Sequence, residues 1–171
     1  MRRIIVAILV TLTIVSCADQ NPYRVAVEQQ RADVGAAVRD YYALRNQLMS
    51  GLAIEDFWQT YPDLSYEHDL MRGINVELML WKWSHDPQLV RRNYRIDLES
   101  YQPIRAYVRA NEALAIVHGI ESWDNRVGGI PTSGEVHVVL TLRQTDGHWT
   151  VIRTDEQLMG EHPPTEPPHL P

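Results

Sequence analysis

Cys17 is the only cysteine of the 171-residue chain, so its thiol has no disulfide partner within the chain and its chemistry is that of a lone nucleophile. Burial as a structural residue fits poorly, because Asp19, Gln20, Asn21 and Pro22 follow at once and no fold element surrounds it. The other reactive side chains are scattered. His118 interrupts the run Leu114, Ile116, Ile120, where an imidazole serves as a general base near neutral pH or as a buried histidine with one satisfied hydrogen bond. Asp155, close to the end of the last strand-like run, is the carboxylate that would orient it, unless it is a surface group. The pairs His68-Asp69 and His85-Asp86 invite a metal reading, but no third ligand stands at a spacing such as His-x-x-x-His, so no metal is expected. A glycine-rich phosphate loop and a Gly-x-Ser-x-Gly elbow are both missing, and no cofactor is expected. Arg91, Arg92 and Arg95 read as a solvated entrance to a strand.

Aromatic side chains offer binding rather than catalysis. Tyr42, Trp58, Tyr61, Trp81 and Trp123, with His118, are the candidates to line a pocket for an apolar ligand, since such sites are mostly apolar with few polar groups. The same residues, with Tyr41, Tyr66 and Trp83, also suit the filling of a core.

Around Cys17 the chain has a distinctive order. Met1-Arg2-Arg3 is followed by an uncharged, largely apolar stretch from Ile4 to Ser16. A helix crossing the ~30 Å hydrocarbon layer needs ~20 apolar residues, and this stretch stops short, as a cleaved signal does. The segment Ile14-Val15-Ser16-Cys17 resembles the lipobox of bacterial lipoproteins: an aliphatic residue three places before Cys, a small residue immediately before it, then the thiol. Ile14 stands where that family most often has Leu. The resemblance implies cleavage before Cys17, a diacylglyceryl thioether on its sulfur, and membrane anchoring outside the cytoplasm. Each buried acyl CH₂ contributes about 0.8 kcal/mol, so two or three chains anchor stably. An ordinary secretory signal that happens to contain a cysteine is the alternative. In such lipoproteins an Asp directly after the Cys signals inner-membrane retention; Ala18 occupies that place here and Asp19 follows, which points to the outer membrane in a host that has one.

Removal of residues 1–16 leaves 155, the size of one ordinary domain. The excised piece takes Arg2 and Arg3 and no acid, so 14 of the 16 basic residues and all 22 acidic ones remain, a formal charge of −8. That balance argues against a nucleic-acid partner, which needs a basic face, and against attraction to anionic headgroups.

The periodicity supplies the frame that must position these residues. After a lipidated tether over 17–26, Val27, Val34, Val38, Tyr41, Leu44 and Leu48 predict a long amphipathic helix ending near Ser50-Gly51. A second, short helix is expected over Ile54 to Tyr61, closed by Pro62. A third is expected over Leu70 to Ser84 with Met71, Ile74, Leu78 and Trp81 on one stripe, although Val76 to Trp83 also reads as a strand. From Tyr94 the period falls to two. Strands are expected around Tyr94 to Leu98, Ile104 to Arg109, Ala113 to Trp123 and Glu135 to Arg143. Asp146-Gly147 is the strongest hairpin signal and leads to a last strand over His148 to Asp155. Leu114, Ile116, His118 and Ile120 share one face, and Val136, Val138, Leu140 and Leu142 are expected inward. A loop holds Gly128, Gly129 and Pro131, and the proline-rich residues 159–171 read as a disordered tail.

Helices first and a long antiparallel meander last make an α+β pattern, one domain over 27–158. The opening helix, the strand pair Ala113 to Trp123 and Gly134 to Arg143, and the closing Asp146-Gly147-His148-Trp149 resemble the nuclear transport factor 2-like, or cystatin-like cone, superfamily. The resemblance implies a curved sheet wrapped around the first helix with a pocket at its open end. Three functions follow as expectations: a non-catalytic module binding an envelope protein or small apolar ligand, a dehydratase- or isomerase-type enzyme using His118 and Asp155, or a homodimerising envelope component that makes contact through its sheet.

Overall fold

The computed structural model describes residues 23–66, 75–85, 91–98, 104–125 and 131–157. The segment expected as a signal, Cys17, the first part of the expected tether, His68-Asp69, Met71, Ile74, Asp86, the glycines 128 and 129 and the expected tail over 159–171 lie outside the described residues.

Helix α1 covers Glu28–Leu48 and buries Val34, Val38, Tyr41, Arg45 and Leu48 along one stripe, alternately four and three residues apart. That spacing keeps one face of a 3.6-residue helix turned inward. The helix ends as expected: Leu52 N–H reaches back to Gln47 C=O at 3.0 Å, while Gly51 takes φ +109, a left-handed conformation that costs a glycine little. Helix α2, Ile54–Thr60, buries Ile54 and Phe57, and Pro62 opens a short 3-10 turn over Pro62–Ser65. Helix α3 spans Val76–His85, which resolves the helix-or-strand ambiguity in favour of helix. Its start is fixed by Asn75, whose Oδ1 accepts the Leu78 N–H at 2.9 Å, an N-cap that satisfies one of the free donors of the first turn. The same side chain donates from Nδ2 to the Leu64 and Tyr66 carbonyls at 2.8 and 2.9 Å, tying α3 to the chain after α2. Val76, Glu77 and Leu80 are its buried positions; Leu78 and Trp81 of the expected stripe are half-buried beside them.

Among the described residues six antiparallel strands form one sheet: β1 Arg24–Val25, β2 Arg91–Asp97, β3 Arg105–Arg109, β4 Glu112–Asn125, β5 Pro131–Thr145 and β6 His148–Gln157. The order is β1-β3-β4-β5-β6, and β2 pairs the second half of β4 while β3 pairs the first. Arg24 and Val25, expected in the tether, are an edge strand on β3, and Pro131, expected in a loop, opens β5 opposite Asp124. The β5–β6 hairpin turns at Asp146 (φ +51) and Gly147 (φ +82), the pair of positive φ values that a tight two-residue hairpin with right-handed twist requires. Register shifts between Thr141 and Leu142 on β5 and between Arg92 and Arg95 on β2 bend the sheet.

The sheet has two buried faces. Ala106, Val108, Ala113, Ala115, Val117, Val136, Val138, Leu140, Leu142 and Val151 join α1, α2 and α3 in the main core. Leu114 and Val139 lie on the other face, packed with Tyr23 and half-buried Tyr107. The larger residues of β4 therefore face away from the helices. Alanines take the inner positions because α1 lies directly against β3 and β4, and close approach of a helix leaves room for little else. Enlarging one should be costly: Ala115→Leu is expected to lower stability by about 1–3 kcal/mol through overpacking, read as a shift of the urea midpoint at unchanged slope.

Candidate functional site

The inner side of the sheet holds charge where an apolar core would be simplest. Arg45 on α1 is 1% exposed and Glu77 on α3 is 0% exposed. Tyr41, one helical turn before Arg45, joins them: its hydroxyl donates to Glu77 Oε1 and accepts from Arg45 at 3.4 Å. The Arg45 guanidinium also sits 5.4 Å from the ring centroid of Tyr42 and 5.9 Å from that of Tyr41, within cation–π range. Around it Tyr41 meets Tyr42 at 4.9 Å and Tyr61 at 5.5 Å edge to face, and Phe57 lies tilted against Tyr61 at 5.2 Å. Burial, aided by the negative charge of Asp40, pushes the Tyr61 phenol up to about 12, so this hydroxyl stays protonated across the physiological range.

Trp58 on α2 and Trp81 on α3 border the same core. Both indole Nε1 atoms are buried and have no hydrogen-bond acceptor among the described residues. A buried donor left unpaired costs about 1–3 kcal/mol, so each has an unused capacity to hold an acceptor oxygen. Trp81 also lies against the exposed His85 ring at 4.5 Å. Of the six candidate pocket residues, Tyr42, Trp58, Tyr61 and Trp81 are thus brought to one core. Trp123 stands opposite Thr132 in the β4–β5 register.

His118 is elsewhere. It alternates in phase with Leu114 on β4, and Asp155 stands opposite Val139, so both belong to the sheet face turned away from the helices. His118 is 7% exposed and directly opposes His137 of β5. Arg105 approaches its Nε2 at 3.3 Å; since a guanidinium only donates, that nitrogen accepts and the proton of the neutral ring is on Nδ1. Burial first, then His137 and Arg105, holds this imidazole below its ordinary 6.5, against an opposing pull from Glu135. Asp155 is bound by Arg153 at 3.1 Å. The acid–base pairing of His118 with Asp155 inside a cone pocket is therefore not what the fold provides. Leu114, Ile116 and His118 share one face as expected, and it is the outer one: bulk marks the outer side of β4 and small residues the inner.

Several residues that matter, Arg45, Glu77, Arg105 and His137, were not singled out in the sequence. Arg45 falls on the Val34, Val38, Tyr41, Leu48 stripe, and a charged residue in phase with a buried face is a legible sign. His137 becomes significant only through its register with His118, which alternation alone does not fix. Among the described residues no three His, Cys, Asp or Glu side chains form a group able to hold a metal ion, and no described helix is long and apolar enough to cross a membrane.

The curved antiparallel sheet with helices on one side is the α+β fold of nuclear transport factor 2-like, cystatin-like proteins. The chain is similar to such a protein with a cystatin-like fold from Novosphingobium aromaticivorans, at 14% identity over 78% of this chain and 84% of that one, with a TM-score of 0.51. It is likewise similar to a nuclear transport factor 2-like superfamily protein from Salmonella enterica serovar Typhimurium, at 10% identity over 77% of this chain and 96% of that one, TM-score 0.51. No protein-family model and no curated protein matches the sequence.

Breaking the buried chain should be severe. Arg45→Met leaves the Tyr41–Glu77 pair in the core without this cation, and a loss of about 3–5 kcal/mol is expected in urea unfolding; Tyr41→Phe, which removes the hydrogen bonds to both Glu77 and Arg45, is expected to cost at least about 1.5–3 kcal/mol. For His118 the folded chain keeps the ring neutral where an unfolded chain would take up a proton. Stability held above pH 6.5 is therefore expected to fall as the pH drops below it. Thermal melts across that range should show the slope, and His118→Gln should flatten it.

Proposed function

We propose that the chain is an extracytoplasmic lipoprotein, anchored through lipid on Cys17, whose cone domain binds a small, mostly apolar ligand without transforming it. One observation carries the binding reading: the buried Nε1 donors of Trp58 and Trp81 have no acceptors among the described residues, and they flank a core rich in aromatic rings on the helix side of the sheet. A ligand with an ester, carbonyl or ether oxygen and an apolar body would supply what these donors lack. The charges nearby, Arg45 and Glu77, are engaged through Tyr41, which leaves them poorly placed to act as acid and base. His118 and Asp155 lie on the opposite sheet face, so they lend no support to a dehydratase-type reaction in the cone. The anchoring reading is supported by the sequence order of Arg2-Arg3, the apolar stretch and Ile14-Val15-Ser16-Cys17. An outer-membrane address follows from Ala18 after the cysteine, in a host with two membranes.

Two measurements test this. Intact mass of the protein from membranes is expected to exceed that of residues 17–171 by a lipid group, with the excess lost in Cys17→Ala; an unmodified chain in the soluble fraction refutes the anchor. Titration with a long-chain fatty-acid ester is expected to shift tryptophan emission, and Trp58→Phe with Trp81→Phe should weaken binding by about 1–3 kcal/mol per donor. If the double variant binds as well as the parent, the indole donors are not the ligand's anchors.

A further inference from the structure

We propose that His118 and His137 form a site for a divalent transition-metal ion on the outer face of the sheet, the ion being held by the two imidazoles and water. The two residues are directly opposed across β4 and β5. Their ring centroids are 4.4 Å apart and their planes 87° to one another. Two imidazoles bound through nitrogen at about 2.0–2.1 Å in a tetrahedral arrangement have centroids roughly 5 Å apart. The ring separation is thus close to what two ligating imidazoles need, and His137, which is only half-buried, is the ring that would turn to present a nitrogen beside that of His118.

Arg105 shows the polarity of this place. Its guanidinium lies 3.3 Å from His118 Nε2 and can only donate, so the lone pair of that nitrogen is directed at Arg105, and a bound metal ion would take the place of this cation. A neutral imidazole is the form that ligates metals. His137 contributes a buried Nδ1 with no hydrogen-bond partner among the described residues. The charge of Glu135 acts on His118 and would offset that of an ion. Among the described residues, the register also puts on this face Asp97 of β2, opposite Ile120, the Arg153–Asp155 pair of β6, engaged with one another, and, toward the β4–β5 strand end, Arg109, Glu112 and Arg143. Because no three potential ligands converge among the described residues, the site offers two nitrogens and open positions. That donor set suits Cu²⁺, Ni²⁺ or Zn²⁺ and not the oxygen-seeking Mg²⁺ or Ca²⁺.

The test is calorimetric titration of the purified protein with Zn²⁺ and with Mg²⁺ at neutral pH, with circular dichroism on every variant. The expected result is saturable binding of Zn²⁺ and none of Mg²⁺, with affinity reduced about tenfold or more in His137→Gln and in His118→Asn. Arg105→Gln, which removes the competing cation, is expected to tighten binding. His85→Gln and His148→Gln, both at exposed positions, should leave it unchanged. His118 is buried, so should His118→Asn fail to fold, His137→Gln decides the matter. Unchanged Zn²⁺ affinity in His137→Gln, loss of binding in His85→Gln or His148→Gln, weaker binding in Arg105→Gln, or no saturable binding overturns the proposal.

Discussion

Between α1 and α3 the Arg45 guanidinium and the Glu77 carboxylate lie almost wholly out of water, joined through the hydroxyl of Tyr41. Removing two opposite charges from water costs several kcal/mol each, recovered only when geometry and hydrogen bonding are good. Apolar residues of similar volume could fill this space with no such cost. What the polar chain supplies is direction: α3 has one rotation about its axis, and one height along α1, at which Glu77 meets Tyr41. The Asn75 cap fixes where α3 begins, and its Nδ2 fixes where the preceding chain runs. The positions of Trp58 and Trp81 on the neighbouring helices follow from those constraints.

The sheet is built to take this layer on one side only. Ala106, Ala113 and Ala115 give α1 a shallow seat, while Leu114 and Val139 fill the far side under Tyr23. Strand β4 is therefore buried on both faces along much of its length, and the polar groups it carries outward, His118 above all, are surrounded rather than solvated. The bulge between β5 and β6 and the shift on β2 give the curvature that lets one sheet partly enclose the helices.

Much of this frame was legible in the sequence, because period and punctuation are local. The α1 stripe, the glycine stop at Gly51, the proline after α2 and the Asp146-Gly147 hairpin each rest on a few neighbouring residues, and each lies where those residues place it. What depends on distant partners was not legible. A strand apolar on both faces, as in Ala113 to Val117, carries no mark of which face is inner. The brief edge strand β1 is specified by its pairing with β3 rather than by its own two residues. The candidate site divided along the same line: aromatic residues on helices fell into one core, whereas the partner of His118 proved to be a second histidine fixed by register.

The pairing of Arg24 and Val25 with β3 also sets a working radius. On the anchoring proposed at Cys17, six residue steps separate the lipid from Tyr23, and at full extension they reach roughly 20 Å. The domain is then on a short leash, with the β1 end of the sheet nearest the bilayer. It cannot sweep the surrounding compartment, so whatever it binds must arrive at the membrane surface or already be there. Its encounters become a search in two dimensions, governed by how the anchor diffuses within the lipid layer.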